Sequence, residues 1–194
     1  MDQGTREPEI RDALHRKLLK KQHSCKKTIV INELGLNHGR QRIDIAVLNG
    51  KLHGYEIKSS QDSLNRLEKQ LAAYELYFER LTLIVAENHL EGVVKMAPRW
   101  CEIIVLRKGA RGAIYFRQYR RAQRNSKVDI NSLLHLLWKK EALEFISELN
   151  IDGEYSRRSR VKLYELIAQV AGIEEVIDWT KKCFESRVNW RAVQ

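Results

Sequence analysis

Asp44 and Glu56 interrupt two runs that otherwise read as apolar strands, Ile43–Leu48 and Leu52–Ile57, and Lys58 closes the second. Burying a charge is costly, so acids and a lysine inside such runs raise the question of chemistry. Strand side chains alternate between faces, so Glu56 and Lys58 point one way while Tyr55 and Ile57 point the other. If Asp44 joins Glu56, two carboxylates form a hard-oxygen site suited to Mg²⁺ or Mn²⁺. A metal held there polarises a phosphodiester and lowers the pKa of an attacking water. Lys58 would orient that water or neutralise the charge that develops on the phosphoryl oxygens. The plainer alternative is a salt bridge between Lys58 and the acids on a solvated sheet face.

Whether Asp44 reaches Glu56 depends on the turn at Asn49-Gly50, a strong hairpin signal. A two-residue loop pairs Leu48 with Lys51 and leaves Asp44 on the wrong face. A three-residue loop of Leu48, Asn49 and Gly50, with Gly50 left-handed, pairs Val47 with Lys51 and Asp44 with Gly54. Asp44 and Glu56 then become diagonal neighbours, about 7–8 Å apart. This register is the one expected. It gathers Ile43, Ile45, Val47, Tyr55 and Ile57 on one core face and leaves space for a metal beside Gly54.

The elements around this hairpin follow from periodicity. Pro8 marks a helix start, and Ile10, Ala13, Leu14, Leu18 and Leu19 follow at helical spacing. A strand is expected over Thr28–Leu34. Ser60 or Asp62 would cap a helix carrying Leu64, Leu67, Leu71, Tyr74 and Phe78, which leads into the buried strand "LTLIVAE". The order is α-β-β-β-α-β. After Pro98 a second hairpin turns near Gly109 and Gly112. From Asn131 onward only helical patterns remain: Leu133–Leu149, Val161–Ala171 and Glu174–Arg187. Residues 1–127 read as an α/β core and 128–194 as a helical appendage.

The 194 residues carry 35 Lys and Arg against 25 Asp and Glu, a formal charge of +10 that favours polyanionic partners, nucleic acid first. Cys25, Cys101 and Cys183 are odd in number and far apart, which suggests neither a disulfide framework nor zinc. No run approaches the roughly 18 apolar residues of a membrane span, and the N-terminal residues lack a secretory core, so a cytoplasmic protein is expected.

Asp44 followed by Glu56-Ile57-Lys58, on the second and third strands of this order, resembles the PD-(D/E)xK nuclease superfamily. Gln70-x-x-x-Tyr74 in "QLAAY" is similar to the QxxxY element of its RecB-like members. The resemblance covers about residues 8–87. Small bacterial members of the superfamily share the cadence of "ELGLNHGRQRIDIAV" and "GYEIKS", with a helical tail bearing "LLWKKE" (Leu136–Glu141). The resemblance implies a restriction-endonuclease-like fold and metal-dependent cleavage of DNA, with RNA the lesser option. It makes Asp44 and Glu56 metal ligands and Lys58 the catalytic lysine, with Gln70 and Tyr74 at the site. A further acid would be Glu9 on the first helix or Glu33 at the end of the first strand. The motif's proline is missing, since Ile43 precedes Asp44. Repair, recombination and defence are all settings that such an activity would suit. The rival is a catalytically silent binding or scaffold protein on the same fold.

Beside such a site, cationic residues gain a role. Arg40 and Arg42 would hold a phosphate or pair with Glu33 or Glu56. Arg117, Arg120, Arg121, Arg124 and Lys127 form one basic run, interleaved with Tyr115, Phe116 and Tyr119, which could stack on unpaired bases. Arg157, Arg158, Arg160 and Lys162 form another. DNA contact is the expectation for both runs. His38 reads as an ordinary loop histidine, with substrate contact the lesser option, and Trp138, Trp179 and Trp190 as core or interface anchors rather than base stackers. The helical tail would position DNA, build a homodimer or receive a partner protein.

Overall fold

Helix α1 (Glu7–Lys17) begins with Pro8 in its first turn, has Glu7 and Glu9 beside it, and ends in His15, Arg16 and Lys17. That arrangement suits both the proline's fixed φ and the helix dipole. The computed structural model describes residues 4–187. A short α2 (Lys20–Ser24) leads to three antiparallel strands, β1 (Ile29–Leu36), β2 (Gln41–Leu48) and β3 (Leu52–Lys58). Helix α3 (Leu67–Tyr74) crosses to β4 (Arg80–Ala86), and α4 (Leu90–Met96) crosses to β5 (Glu102–Lys108), which pairs with β6 (Ile114–Arg120). The result is one mixed sheet in the order β1-β2-β3-β4-β5-β6, with β3, β4 and β5 parallel. Helices α5 (Ile130–Leu134), α6 (Lys139–Glu148), α7 (Arg160–Val170) and α8 (Ile173–Ser186) complete a mixed α/β chain with C-terminal helices.

Two apolar layers hold the sheet. On one face Ile10, Ala13 and Leu14 of α1 pack with Ile45, Val47, Tyr55 and Ile57. On the other, Leu34, Ile43, Leu81 and Leu83 share a core with Leu71 and Tyr74 of α3. Leu133, Phe145, Leu163, Ile177 and Phe184 of the C-terminal helices belong to that same core. Among the described residues, no helix is long and apolar enough to cross a membrane.

The β2–β3 loop has three residues, with Gly50 left-handed at φ 86°, but they are Asn49, Gly50 and Lys51. Leu48 pairs with Leu52 and Ala46 with Gly54, so the expected register is displaced, and its continuation one residue past the last pair, Ile45↔Tyr55, sets Asp44 against Glu56 rather than Gly54. Placing Leu48 on the strand keeps its fully buried side chain in the core, which a loop position would forfeit. Gly54 holds no space for a metal. A Cβ there would lie 2.7 Å from Ile43 Cδ1 and 3.1 Å from both Leu81 Cδ1 and Phe78 Cδ1, so core side chains fill it. Ile43 also departs from the expected face, packing in the layer opposite Ile45. Two boundaries differ as well. Helix α3 begins at Leu67, and Asp62 caps a turn by accepting from Ser59 N at 2.6 Å. The helix expected over Leu133–Leu149 breaks at His135–Trp138, where Glu141 turns back to accept from Trp138 N at 2.7 Å.

Candidate functional site

Regular pairing of β2 lapses at Asp44. Its neighbour on β1, Glu33, has a left-handed φ of 55°, and the flanking pairs are Asn32↔Ile45 and Leu34↔Ile43. A non-glycine residue in that region costs about 1–2 kcal/mol, and such strain tends to collect at functional positions. The β1–β2 pairs on either side of Asp44, and the β2–β3 register that ends one residue away at Ile45↔Tyr55, set Glu33, Asp44 and Glu56 as a row of acids across β1, β2 and β3.

Glu56 is almost fully enclosed. Lys58 Nζ donates to its Oε1 at 2.7 Å, Gln70 Nε2 donates to the same oxygen at 2.8 Å, and Tyr74 Oη lies 2.8 Å from Oε2. Lys58 Nζ also donates to Gln70 Oε1 at 3.0 Å. These four side chains come together because Gln70 and Tyr74 lie one helical turn apart on α3, whose apolar face seats on the sheet above β3. Tyr74 Oη also lies 2.7 Å from the Arg42 carbonyl, tying α3 to β2. Burial raises the Glu56 pKa above its ordinary value against the opposing pull of Lys58 and the donors from Tyr74 and Gln70.

Asp44 sits at the seam. Its Oδ2 accepts from Ile57 N at 2.6 Å, and Arg11 Nη2 of α1 lies 3.6 Å from its Oδ1. Burial first, and then the nearby Glu56 charge, push its pKa up to about 8. Arg11 also bonds Glu7 and Glu33, and oxygens of Glu7, Glu33 and Asp44 all lie within 4.8 Å of one another. The first-helix acid at the centre is therefore Glu7. Glu9 turns away and accepts from Lys108 Nζ at 2.9 Å. At about 100° per residue, Glu7 and Arg11 flank the buried Ile10–Leu14 seam on one side and Glu9 on the other. The Glu7/Arg11 spacing of four was the signal available in the sequence.

The donor set suits a divalent cation on chemical grounds. Glu7, Glu33 and Asp44 gather hard oxygens, as Mg²⁺ and Mn²⁺ require, while Glu56 stands outside that close group with its oxygens held by Lys58, Gln70 and Tyr74. Against these four carboxylates stand Arg11, Lys58 and, 3.7 Å from Glu33, Arg42. A cleft of about 390 Å³ opens nearby at the carboxyl ends of the parallel strands, a common ligand position in α/β sheets. Thr5, Ser60, Glu87, Asn88, Arg107 and Lys108 line it.

The cations separate into two groups. Arg120 donates to the carbonyls of Ala97, Pro98 and Cys101 and so holds the end of α4. Arg42 faces Glu33, Arg124 faces Glu79 at 3.5 Å and Lys127 faces Glu75 at 3.2 Å. Arg40, Arg117, Arg121, Arg157, Arg158 and Arg160 are exposed and, among the described residues, have no carboxylate partner. Tyr115 and Tyr119 are exposed on β6, while Phe116 packs partly against the core. Trp179 stacks on Phe145 at 4.8 Å, and the exposed Trp138 carries the Arg187 guanidinium 4.3 Å above its ring. Trp190 lies outside the described residues.

Residues 1–192 match the family described as Bacteriophage P4 protein cII. The chain belongs to that family. Protein cII of Enterobacteria phage P4 is 26% identical over 182 residues, which span 94% of this chain and 67% of that protein. No solved structure matches.

Proposed function

We propose that this chain is a metal-dependent nuclease with a restriction-endonuclease-like core that hydrolyses DNA phosphodiester bonds. The observation that carries the reading is the row Glu33–Asp44–Glu56, with Lys58, Gln70 and Tyr74 hydrogen-bonded around Glu56. Asp44 and Glu56 would hold Mg²⁺ or Mn²⁺, with Glu7 and Glu33 the further acids on the Asp44 side. When bound, the cation supplies Lewis acidity to the phosphoryl group and acidity to a water. Lys58 spends two of its three N–H groups on Glu56 and Gln70, which leaves the third to orient the attacking water. Gln70 and Tyr74 fix the Glu56 carboxyl so that it needs no reorganisation when the cation arrives. The +10 charge and the unpaired arginines supply attraction to DNA.

One observation favours a second reading, a catalytically silent nucleic-acid-binding or scaffold protein. The Arg11 guanidinium already neutralises Glu7 and Glu33 and approaches Asp44. Both readings are tested by incubating the chain and its Asp44→Ala and Lys58→Ala variants with linear, circular, single-stranded and branched DNA in Mn²⁺, Mg²⁺ or EDTA. Cutting that needs metal and disappears in both variants is expected. Cutting that persists in Asp44→Ala sinks the mechanism. Absence of both cutting and Mn²⁺ binding favours the scaffold.

A further inference from the structure

The β1–β2 turn runs left-handed over three consecutive residues. Asn37, His38 and Gly39 are all left-handed, with φ of 46°, 55° and 84°. Tyr77 Oη accepts from Asn37 N at 3.0 Å and pins the turn to the end of α3. The chain is thereby made to project His38 at the C-terminal helices. Its ring stacks on His135, with centroids 4.7 Å apart, and faces Tyr164 at 6.5 Å. Arg160, the first residue of α7, brings Nη1 to 3.4 Å from His38 Nδ1. Three segments distant in sequence therefore converge here: the turn, the end of α5 and the start of α7.

A guanidinium only donates hydrogen bonds, so in this contact His38 Nδ1 is the acceptor. The charges facing His38 are those of Arg160 from α7, Arg40 from its own turn and, when protonated, His135 from α5. His135 faces Arg160 and Asp129, with the Tyr164 ring 5.4 Å away. Burial and these cations hold both imidazoles below their ordinary pKa. Arg157 and Arg158 lie exposed just ahead of α7. Two imidazoles with Arg160 and Arg40 facing them, and Asp129 as the acid that acts on His135, describe a place awaiting an anion.

We propose that His38, His135, Arg160 and Arg40 form a phosphate subsite that grips the nucleic-acid strand entering the Asp44–Glu56 centre. This deepens the proposed function and rests on its nucleic-acid reading. His38 precedes Asp44 by six residues, a reach of at most ~20 Å of extended chain, or about six nucleotides at roughly 3.4 Å of rise each. Arg160 and Arg40 meet the phosphate oxygens, and the anion draws a proton onto the imidazoles that the cations alone discourage. The group bound is a phosphate oxyanion, from either a backbone diester or a terminal monoester.

The test is fluorescence anisotropy of a labelled single-stranded DNA, with and without a 5′-phosphate, in EDTA at pH 6 and pH 8. Wild-type chain, Arg160→Ala and a His38→Asn/His135→Gln double variant are compared, Asn being chosen because it tolerates the left-handed turn. Wild type is expected to bind about tenfold tighter at pH 6 than at pH 8. The double variant should lose most of that pH response, and Arg160→Ala should weaken binding about tenfold at both pH values. A gain seen only with the 5′-phosphate assigns a terminal monoester, and a gain without it assigns the backbone. The proposal fails if the double variant keeps the wild-type pH response, if Arg160→Ala binds as wild type, or if wild type binds neither strand. Because binding is read without metal, absence of cutting strikes only the nuclease reading.

Discussion

At the scale of single residues the centre is built at a cost, and Asp44 shows its sign. Its folded pKa is raised from the ordinary 3.8 to about 8, so the stabilising contribution is present below about pH 4. It is lost as pH rises from there to about 8, because the unfolded chain carries the charge more readily. In EDTA, Asp44→Asn is therefore expected to match wild type in thermal midpoint near pH 4 and to exceed it by several degrees at pH 8.5. The amide oxygen can still accept from Ile57 N. Mn²⁺ should raise the midpoint of wild type and leave that of the variant unmoved. A variant less stable than wild type at pH 8.5 would show that the carboxylate is not strained. Arg11 works the other way, as an internal counterion to Glu7 and Glu33. Arg11→Met keeps the stem and removes the charge. It should tighten Mn²⁺ binding by about tenfold, read by calorimetry, since a unit charge nearby is worth of order 1–4 kcal/mol. Equal or weaker binding would mean that Arg11 and the metal do not compete.

At the scale of elements, much was legible in the sequence. Period-two runs revealed β2, β3 and the hairpin, period-3.6 runs revealed α1 and α3, and the Gln70–Tyr74 spacing put both side chains on one helix face. The register was not legible, because Asn49-Gly50 fixes where a turn lies and not whether Leu48 or Lys51 completes it. Burial of Leu48 decides that, and burial is a tertiary quantity. Glu7 was missed for a similar reason. Which flank of α1 meets the acids depends on how its seam seats on the sheet, and helical spacing alone does not choose. The break at His135–Trp138 was hidden because Leu133–Leu137 keep an apolar pattern through it. Gly54 tests the observed register. Gly54→Ala drives a methyl into Ile43, next to Asp44, and into Leu81 and Phe78. A loss of about 1–3 kcal/mol in urea-unfolding stability is expected, together with weaker Mn²⁺ binding. A neutral substitution would contradict the close approach of β2 to β3.

At the scale of the whole molecule, the C-terminal helices and the sheet bury their apolar side chains against one another. Phe145, Leu163, Ile177 and Phe184 join the same core as Leu34, Leu81 and Leu83. Asn125 donates to the carbonyls of Glu75 and Phe78, and Asp129 N donates to the Leu76 carbonyl, so the connecting segment is stitched to the end of α3. Buried Glu141 and Arg187, 2.5 Å apart, join α6 to the end of α8 within that layer. An apolar interface shared this way makes the two parts melt together, because neither keeps its core without the other. Tryptophan offers the readout. Trp100 precedes β5 and packs against the shared core, while Trp179 stacks on Phe145 within the helices. Two variants, each keeping one of these and replacing the other three tryptophans with phenylalanine, should unfold in urea with coincident fluorescence midpoints that also match circular dichroism. A Trp179 signal lost at clearly lower urea than the Trp100 signal would reveal separately folding units. The phosphate subsite, built from the β1–β2 turn and two of those helices, would then assemble only when the units dock.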